Sequence, residues 1–180
     1  MVRLPAKPVN DVASMLVLRK GPATDVTPAQ PATLTSAENA AGWKSLFHGQ
    51  STQSWRAYKG ADFPAKQWTI DDGNLKCLGT VEGENGTTDV VTREQYGDFE
   101  LTLEFKTSPH ANSGIMYRVT EIHDASWQTG PEFQILDDAG SNVRATDAHS
   151  CGGLYDILPP DAAKVLKPVG EYNAARIRLS

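Results

Sequence analysis

Polar residues set at strand spacing are the first sign of where this chain could do chemistry. Glu132 and Gln134 lie two residues apart in the run EFQIL, which follows Pro131. Residues two apart in a strand share a face, so both side chains lie opposite the apolar pair Phe133 and Ile135. A solvated face explains most exposed Glu and Gln residues. Polar groups gathered on one sheet face can also form a site of the size of a sugar.

A second run, NSGIMYR, carries further polar groups toward the same predicted sheet. Alternation places Arg118 with Met116 on one face of this strand and Tyr117 on the other. Arg118 could pair with an acidic residue of a neighbouring strand, such as Glu132, or could bind hydroxyls and an oxyanion at the floor of a cleft. Tyr117 is expected mainly to pack, with its hydroxyl reaching a partner. Asn112 opens the run.

The loops at both ends of the EFQIL strand contribute the remaining candidates. Trp127 lies in a polar loop, where an indole can stack on a sugar ring. His123 shares that loop, and Asp137 follows the strand directly. His149 lies in the glycine-containing run DAHSCGG and is a rival to Glu132 as a general base. The four histidines show no HxH or HxxxH spacing, so the sequence does not indicate a dedicated zinc site.

The elements that must position these residues are short strands separated by turns. In the run FELTLEF, Phe99, Leu101, Leu103 and Phe105 alternate with polar residues, which predicts a half-buried strand. Further strands are predicted at 43–47, 67–70, 75–78, 89–92 and 170–179, with a hairpin turn at DDGN and a loop at 80–87. This spacing predicts an all-β fold: an antiparallel two-sheet β-sandwich or jelly roll.

Residues 1–33 contain five prolines and are predicted to be a separate arm or linker, and residues 34–180 form the folded domain. A capping box, Thr35 with Glu38, predicts a short helix that ends near Gly42. The chain stops at Ser180 on an alternating strand. We therefore expect the sandwich to be incomplete at its C-terminal end, with one or more strands missing.

Composition excludes several classes of function. The 180 residues carry a net charge of −5 and no basic run, which disfavours binding to nucleic acid or to anionic membranes. No apolar run approaches the roughly 20 residues of a transmembrane helix, and no signal peptide is visible. Cys77 and Cys151 are predicted to be small buried or half-buried side chains, with a disulfide as the alternative in an exported protein.

An ordered set of motifs resembles the 3-keto-disaccharide hydrolase family, long called a domain of unknown function. The motifs cover residues 34–180, and together they are specific, although each alone is weak. They are GWKSLF at 42–47, WR at 55–56, GDFE at 97–100, NSGI at 112–115, YR at 117–118, GPE at 130–132, QILD at 134–137 and GLY at 153–155.

The resemblance implies a concanavalin A-like jelly roll, often exported in bacteria, hence a periplasmic or secreted protein. It also implies action on glycosides oxidised at C3, where a base removes the C2 proton and the glycosidic oxygen leaves by elimination. Glu132 is then the expected base or sugar ligand, with Arg118 on the enolate oxygen and His149 as rival base. Expected substrate-binding residues are Asn112, Tyr117, His123, Trp127, Gln134 and Asp137. A divalent metal on Glu132 and a histidine stays open, as does the alternative of a non-catalytic carbohydrate-binding module.

Overall fold

The computed structural model describes residues 2–3, 34–79 and 88–180. Antiparallel strands dominate this part of the chain, which confirms the all-β prediction. The strands are β1 Val2–Arg3, β2 Trp43–Lys44, β3 Trp55–Ala57, β4 Trp68–Asp71, β5 Asn74–Cys77, β6 Val90–Thr92, β7 Phe99–Phe105, β8 Asn112–Met116, β9 Glu132–Leu136 and β10 Asn173–Leu179. A helix, α1 Ser36–Ala40, and a 3-10 helix, Ser126–Gln128, complete the list.

Strand β7 is the centre of the largest sheet, whose order is β10-β7-β1-β2. Its four apolar side chains are buried and its polar ones are half-buried, as the alternation predicted. β10 pairs with β7 over the whole strand, from Asn173 opposite Phe105 to Leu179 opposite Phe99. The strand predicted at 170–179 is thus confirmed from residue 173 onward, and Ala175 and Ile177 add to the core.

The predicted capping box is present at the start of α1. The Thr35 hydroxyl accepts from the backbone N–H of Glu38 at 3.2 Å, and the Glu38 carboxylate accepts from the backbone N–H of Thr35 at 2.7 Å. The strand predicted at 43–47 is shorter than expected and ends at Lys44. Leu46 and Phe47, which follow it, are both buried, so these two residues pack in the core and do not extend the sheet.

Two antiparallel strand pairs contribute to the region that contains the polar candidates. β4 and β5 pair through the two-residue turn Asp72-Gly73, whose φ angles of 47° and 70° are those of a type I′ turn. The predicted DDGN hairpin is confirmed. β8 pairs with β9, placing Gly114 opposite Gln134 and Met116 opposite Glu132.

The free edge of β9 is covered by the segment 152–155. The backbone N–H of Gln134 donates to the carbonyl of Gly153 at 3.0 Å, and the N–H of Tyr155 donates to the carbonyl of Glu132 at 2.9 Å. β9 therefore has hydrogen-bonded neighbours on both sides. Its polar side chains are fixed by two adjacent segments as well as by their own strand.

Most of the predicted arm, residues 4–33, and the predicted loop 80–87 lie outside the described residues. Val2–Arg3 pairs with both β2 and β7, a strand that the sequence did not indicate. Among the residues that the structure describes, no helix is long and apolar enough to cross a membrane.

Candidate functional site

A cleft of about 800 Å³ opens above the face of the β8–β9 hairpin that carries the polar side chains. Its walls come from five stretches of the chain. It is lined by Trp68 and Cys77 of the first hairpin, by residues 89–91, by Asn112, Ser113, Gly114 and Met116 of β8, by residues 126–127, 130–132 and 134, and by residues 155–157. The volume suits a sugar or a small glycoside.

Glu132 on β9 lines this cleft, and strand pairing and packing leave its carboxylate half-buried. Gly114 permits this position, because a Cβ built on Gly114 would lie 1.8 Å from Oε1 of Glu132. Burial raises the pKa of Glu132 to about 6, and the negative charge of Asp89 adds to the effect. A carboxylate with this pKa is largely ionised at neutral pH and still holds a proton well enough to act as a general base.

Asp89 is a second carboxylate in the same cleft, and a buried hydroxyl holds it. Ser126 is 1% exposed and donates a short hydrogen bond to Oδ2 of Asp89. The Ser126 hydroxyl also lies 3.1 Å from Sδ of Met116, which pairs across the strands with Glu132. Ser126 thus contacts both Asp89 and the residue that lies opposite the candidate base across the strands.

Gln134 and Asn112 form an amide pair beside Glu132. Nε2 of Gln134 donates to Oδ1 of Asn112 at 3.3 Å. Gln134 is 2% exposed, and its Oε1 has no hydrogen-bond partner in the structure. An unpaired buried acceptor costs free energy, so this oxygen calls for a donor such as a ligand hydroxyl.

The rim of the cleft is apolar and open. Trp127 on the 3-10 helix is 66% exposed, and Ile157 on the opposite segment is 62% exposed, with Tyr155 less so. Trp68, in contrast, is a buried wall residue whose Nε1 donates to the carbonyl of Thr88 at 2.8 Å. Of the two tryptophans that line the cleft, Trp127 is therefore the one with an accessible ring, on which a sugar ring could stack.

Four predicted site residues, Asn112, Trp127, Glu132 and Gln134, come together in this cleft. Arg118 and Tyr117 do not line it. β8 ends at Met116, and Arg118 has a φ of 55°, so the extended geometry that would place Arg118 beside Met116 is lost. The strand predicted to include Arg118 is wrong at this end. The Arg118 guanidinium lies 3.4 Å from Oδ1 of Asp98.

Two of the loop candidates, Asp137 and His123, also lie outside the cleft lining. Asp137 accepts from the backbone N–H groups of His110 and Gly140 at 2.9 and 3.0 Å, which lowers its pKa and shapes the following loop. His123 is exposed, and its carbonyl accepts from the hydroxyl of Tyr58 at 2.8 Å. Neither side chain reaches the cleft.

His149 lies next to residues of the cleft wall but is not part of the lining. Nδ1 of His149 lies 2.9 Å from Oδ1 of Asp147, and Nε2 lies 3.3 Å from Oδ1 of Asp156. The His149 ring packs edge-on against the Tyr155 ring, with 4.8 Å between the ring centroids. Tyr155 and Asp156 line the cleft, so His149 contacts two residues of its wall. Its position fits a support of the wall better than a base acting in it.

Sequence reasoning missed Asp89 and Ser126. Asp89 stood at the start of a predicted strand and Ser126 in a loop 37 residues away, so no local pattern joined them. Both cysteines are free thiols; Cys77 lines the cleft and Cys151 is buried. Within the described part of the chain, no group of three or more His, Cys, Asp or Glu side chains is arranged to hold a metal ion.

Comparisons with known proteins agree on the kind of protein. A curated 3-keto-disaccharide hydrolase of Bacteroides thetaiotaomicron is 30% identical over 155 residues, which cover 77% of this chain and 53% of that protein. The chain therefore spans about half the length of this curated relative. A crystal structure from Parabacteroides distasonis, provisionally described as a glycosyl hydrolase, superposes with a TM-score of 0.73 at 29% identity, covering 84% of this chain and 70% of that one.

The family models give the same answer for most of the chain. Residues 42–180 match the model of the 3-keto-alpha-glucoside-1,2-lyase-like domain. The matched range contains every strand of the cleft. The chain therefore belongs to the family of 3-keto-alpha-glucoside-1,2-lyase-like domains.

Proposed function

We propose that this chain forms the sugar-cleaving site of an enzyme that acts on glycosides carrying a ketone at C3, with Glu132 as the general base. The observation that supports it most is the half-buried Glu132 carboxyl in the cleft lining, whose pKa is raised to about 6. Abstraction of a carbon-bound proton requires a base whose pKa lies near the pH at which the enzyme works. The named relative, a 3-keto-disaccharide hydrolase, supports the same reading.

The chemistry follows from the ketone. The C3 carbonyl acidifies the C2 proton, Glu132 takes that proton, and the electron pair moves into the carbonyl as an enolate. When the carbonyl re-forms, the C1–O bond breaks and a C1=C2 double bond appears. The departing oxygen takes a proton from water, because in an α-glucoside such as 3-keto-trehalose the C2–H and C1–O bonds lie on opposite faces of the ring and Glu132 cannot reach both. Water then adds across the double bond, so the net reaction is hydrolysis.

The neighbouring residues suit substrate binding in this proposal. The amide pair Gln134–Asn112 offers one unpaired oxygen to a ring hydroxyl. Trp127 offers an accessible aromatic ring in the cleft lining. The Arg118 role on the enolate oxygen receives no support, because Arg118 does not line the cleft and faces Asp98.

The test is incubation of the purified protein with 3-keto-trehalose, with and without added divalent metal, and measurement of released glucose. Release that disappears in Glu132→Gln supports the proposal. Unoxidised trehalose is the matched control and should not be cleaved, because its C2 proton is not acidified. No glucose release from the keto sugar under any of these conditions overturns the proposal.

A non-catalytic sugar-binding module is the second candidate, and one observation favours it. Among the described residues that line the cleft, none is Lys, Arg or His, so no cation there faces a developing enolate. Glycan binding that survives Glu132→Ala, without turnover of any keto sugar, would decide for the module.

A further inference from the structure

The groups that line the cleft are rich in hydrogen-bond acceptors and in negative charge. Three carboxylates, Asp89, Glu132 and Asp156, face the cleft, and no lining residue in the described part is basic. Oδ1 of Asp156 lies 3.3 Å from Nε2 of His149. None of the ion pairs between described residues includes Asp89 or Glu132. The cleft lining therefore carries uncompensated negative charge.

The Gln134 side-chain oxygen, which has no hydrogen-bond partner, is independent evidence for the kind of ligand that the cleft binds. Both backbone groups of Gln134 are used: its N–H donates to Gly153 at 3.0 Å, and its carbonyl accepts from Gly152 at 2.8 Å. Its Nε2 donates to Oδ1 of Asn112, and reversing the Gln134 amide alone would set two oxygens against each other. In this arrangement Oε1 lacks a donor, which a sugar hydroxyl carries and a carboxylate or a phosphate group does not.

Asp89 is the acid that is best fixed in place. The buried Ser126 hydroxyl holds one carboxylate oxygen, and the other carries no hydrogen bond from a described residue. The charge of Asp89 also reaches Glu132, whose proton it helps to retain. A fixed charge in a partly desolvated cleft acts on ligands more strongly than a mobile surface charge does.

We propose that this cleft selects neutral, hydroxyl-rich sugars, and that Asp89, held by Ser126, is the residue that turns acidic sugars away. The inference rests on the proposed function for its site and adds the substrate class. Sugar hydroxyls donate to Gln134 and to the carboxylates, whereas uronic acids and sugar phosphates bring a like charge beside Asp89. Rejection by a like charge is a way of obtaining specificity without new attractive contacts.

The experiment compares the binding of two unreactive probes, methyl α-glucoside and its C6-oxidised uronate, by NMR titration at pH 7.5. We expect the uronate to bind about 10-fold more weakly than the neutral sugar at low salt. The ratio should shrink at roughly 0.5 M salt, because exposed charges are screened over a few ångströms there. Asp89→Asn should bring the two affinities within about threefold. Asp62→Asn removes the same charge from outside the cleft lining and should leave the ratio unchanged.

Each outcome bears on the inference separately from the proposed function. Equal binding of the two probes by the wild-type protein, or no binding of either, overturns the inference even if keto sugars are cleaved. A preference that Asp89→Asn leaves intact overturns the role of Asp89. A preference for the neutral sugar without any cleavage of keto sugars supports the inference and rejects the enzyme. The salt series uses only wild-type protein, so it still decides whether charge sets the preference if Asp89→Asn fails to fold.

Discussion

At the scale of single residues, Glu132 combines a functional role with a cost in stability. Its carboxylate is held over Gly114 and partly out of water, where the ionised form is disfavoured. The folded pKa of about 6 lies above the ordinary value of 4.5. The favourable contribution of Glu132 is therefore present at low pH and is lost as the pH rises through 6, where the protein must keep a half-buried charge.

Glu132→Gln should therefore inactivate the protein and stabilise it at pH 7.5. Removing the half-buried charge is expected to raise the free energy of unfolding by about 1–2 kcal/mol, measured by urea denaturation. The gain should fade as the pH is lowered toward 4.5. Turnover of a keto glycoside should fall by about 10²–10⁴-fold. Glu104→Gln on β7, outside the cleft, is the matched control and should change neither quantity. A destabilised Glu132→Gln at pH 7.5 would contradict this account.

The same pKa predicts the shape of the pH–rate profile. A base must be ionised to accept a proton, so kcat/KM should rise with pH, reach half its maximum near pH 6 and then level off. Asp89→Asn removes the nearby negative charge, so it should move this midpoint to lower pH. If Asp89→Asn leaves this midpoint unchanged, a group other than Glu132 controls the profile. The measurement is kcat/KM for a keto glycoside from pH 4.5 to pH 8.5 in buffers of constant ionic strength.

At the scale of elements, the β8–β9 hairpin works as a platform because one of its cross-strand positions has no side chain. Gly114 pairs with Gln134, and the Glu132 carboxylate occupies the space above it. Any larger residue at 114 must push Glu132 aside. The glycine is therefore required by the close approach of a functional side chain, not by a special backbone angle.

Gly114→Ala should cost up to about 1 kcal/mol of stability, because the clashing atoms belong to a flexible side chain that can move into the cleft, and it should remove most of the activity. In a Glu132→Ala background the same change should cost less than about 0.5 kcal/mol, because the carboxylate that clashes is gone. Urea denaturation of the four proteins in this cycle measures the coupling. If Gly114→Ala costs the same in both backgrounds, the cost comes from the backbone, and the role assigned to the glycine is wrong.

The elements also show how far the sequence alone could lead. The alternation at 99–105 predicted β7 and its buried face, and the spacing of Glu132 and Gln134 predicted their common face. These are local properties of an extended chain. The positive φ of Arg118 at the end of β8 carries no local signal, and it removed the predicted cation from the site. Asp89 was missed because its partner Ser126 is distant in sequence, and only the fold brings them together.

At the scale of the whole molecule, a buried ion pair between Lys164 and Asp138 lies next to the segment that forms one wall of the cleft. Nζ of Lys164 lies 2.9 Å from Oδ2 of Asp138, 3.0 Å from the Ser150 hydroxyl and 2.6 Å from the Cys151 carbonyl. The Lys164 and Asp138 side chains are only 15% and 11% exposed. This cluster fixes the start of the segment that pairs with β9 and supplies Tyr155 and Asp156 to the cleft wall.

Lys164→Met should destabilise the protein by about 3–5 kcal/mol, because it leaves the Asp138 carboxylate buried without its cation. Lys76→Met is the matched control: the Lys76–Asp71 pair has side chains 54% and 56% exposed, and its loss should cost less than about 1 kcal/mol. The double variant Lys164→Met/Asp138→Asn should recover part of the loss, since the amide oxygen can still accept from the backbone N–H of Cys151, now 2.7 Å from Oδ1. Urea denaturation measures all three, and sugar binding reports whether the cleft wall is displaced. Lys164→Met costing no more than Lys76→Met would show that the cleft does not depend on this cluster.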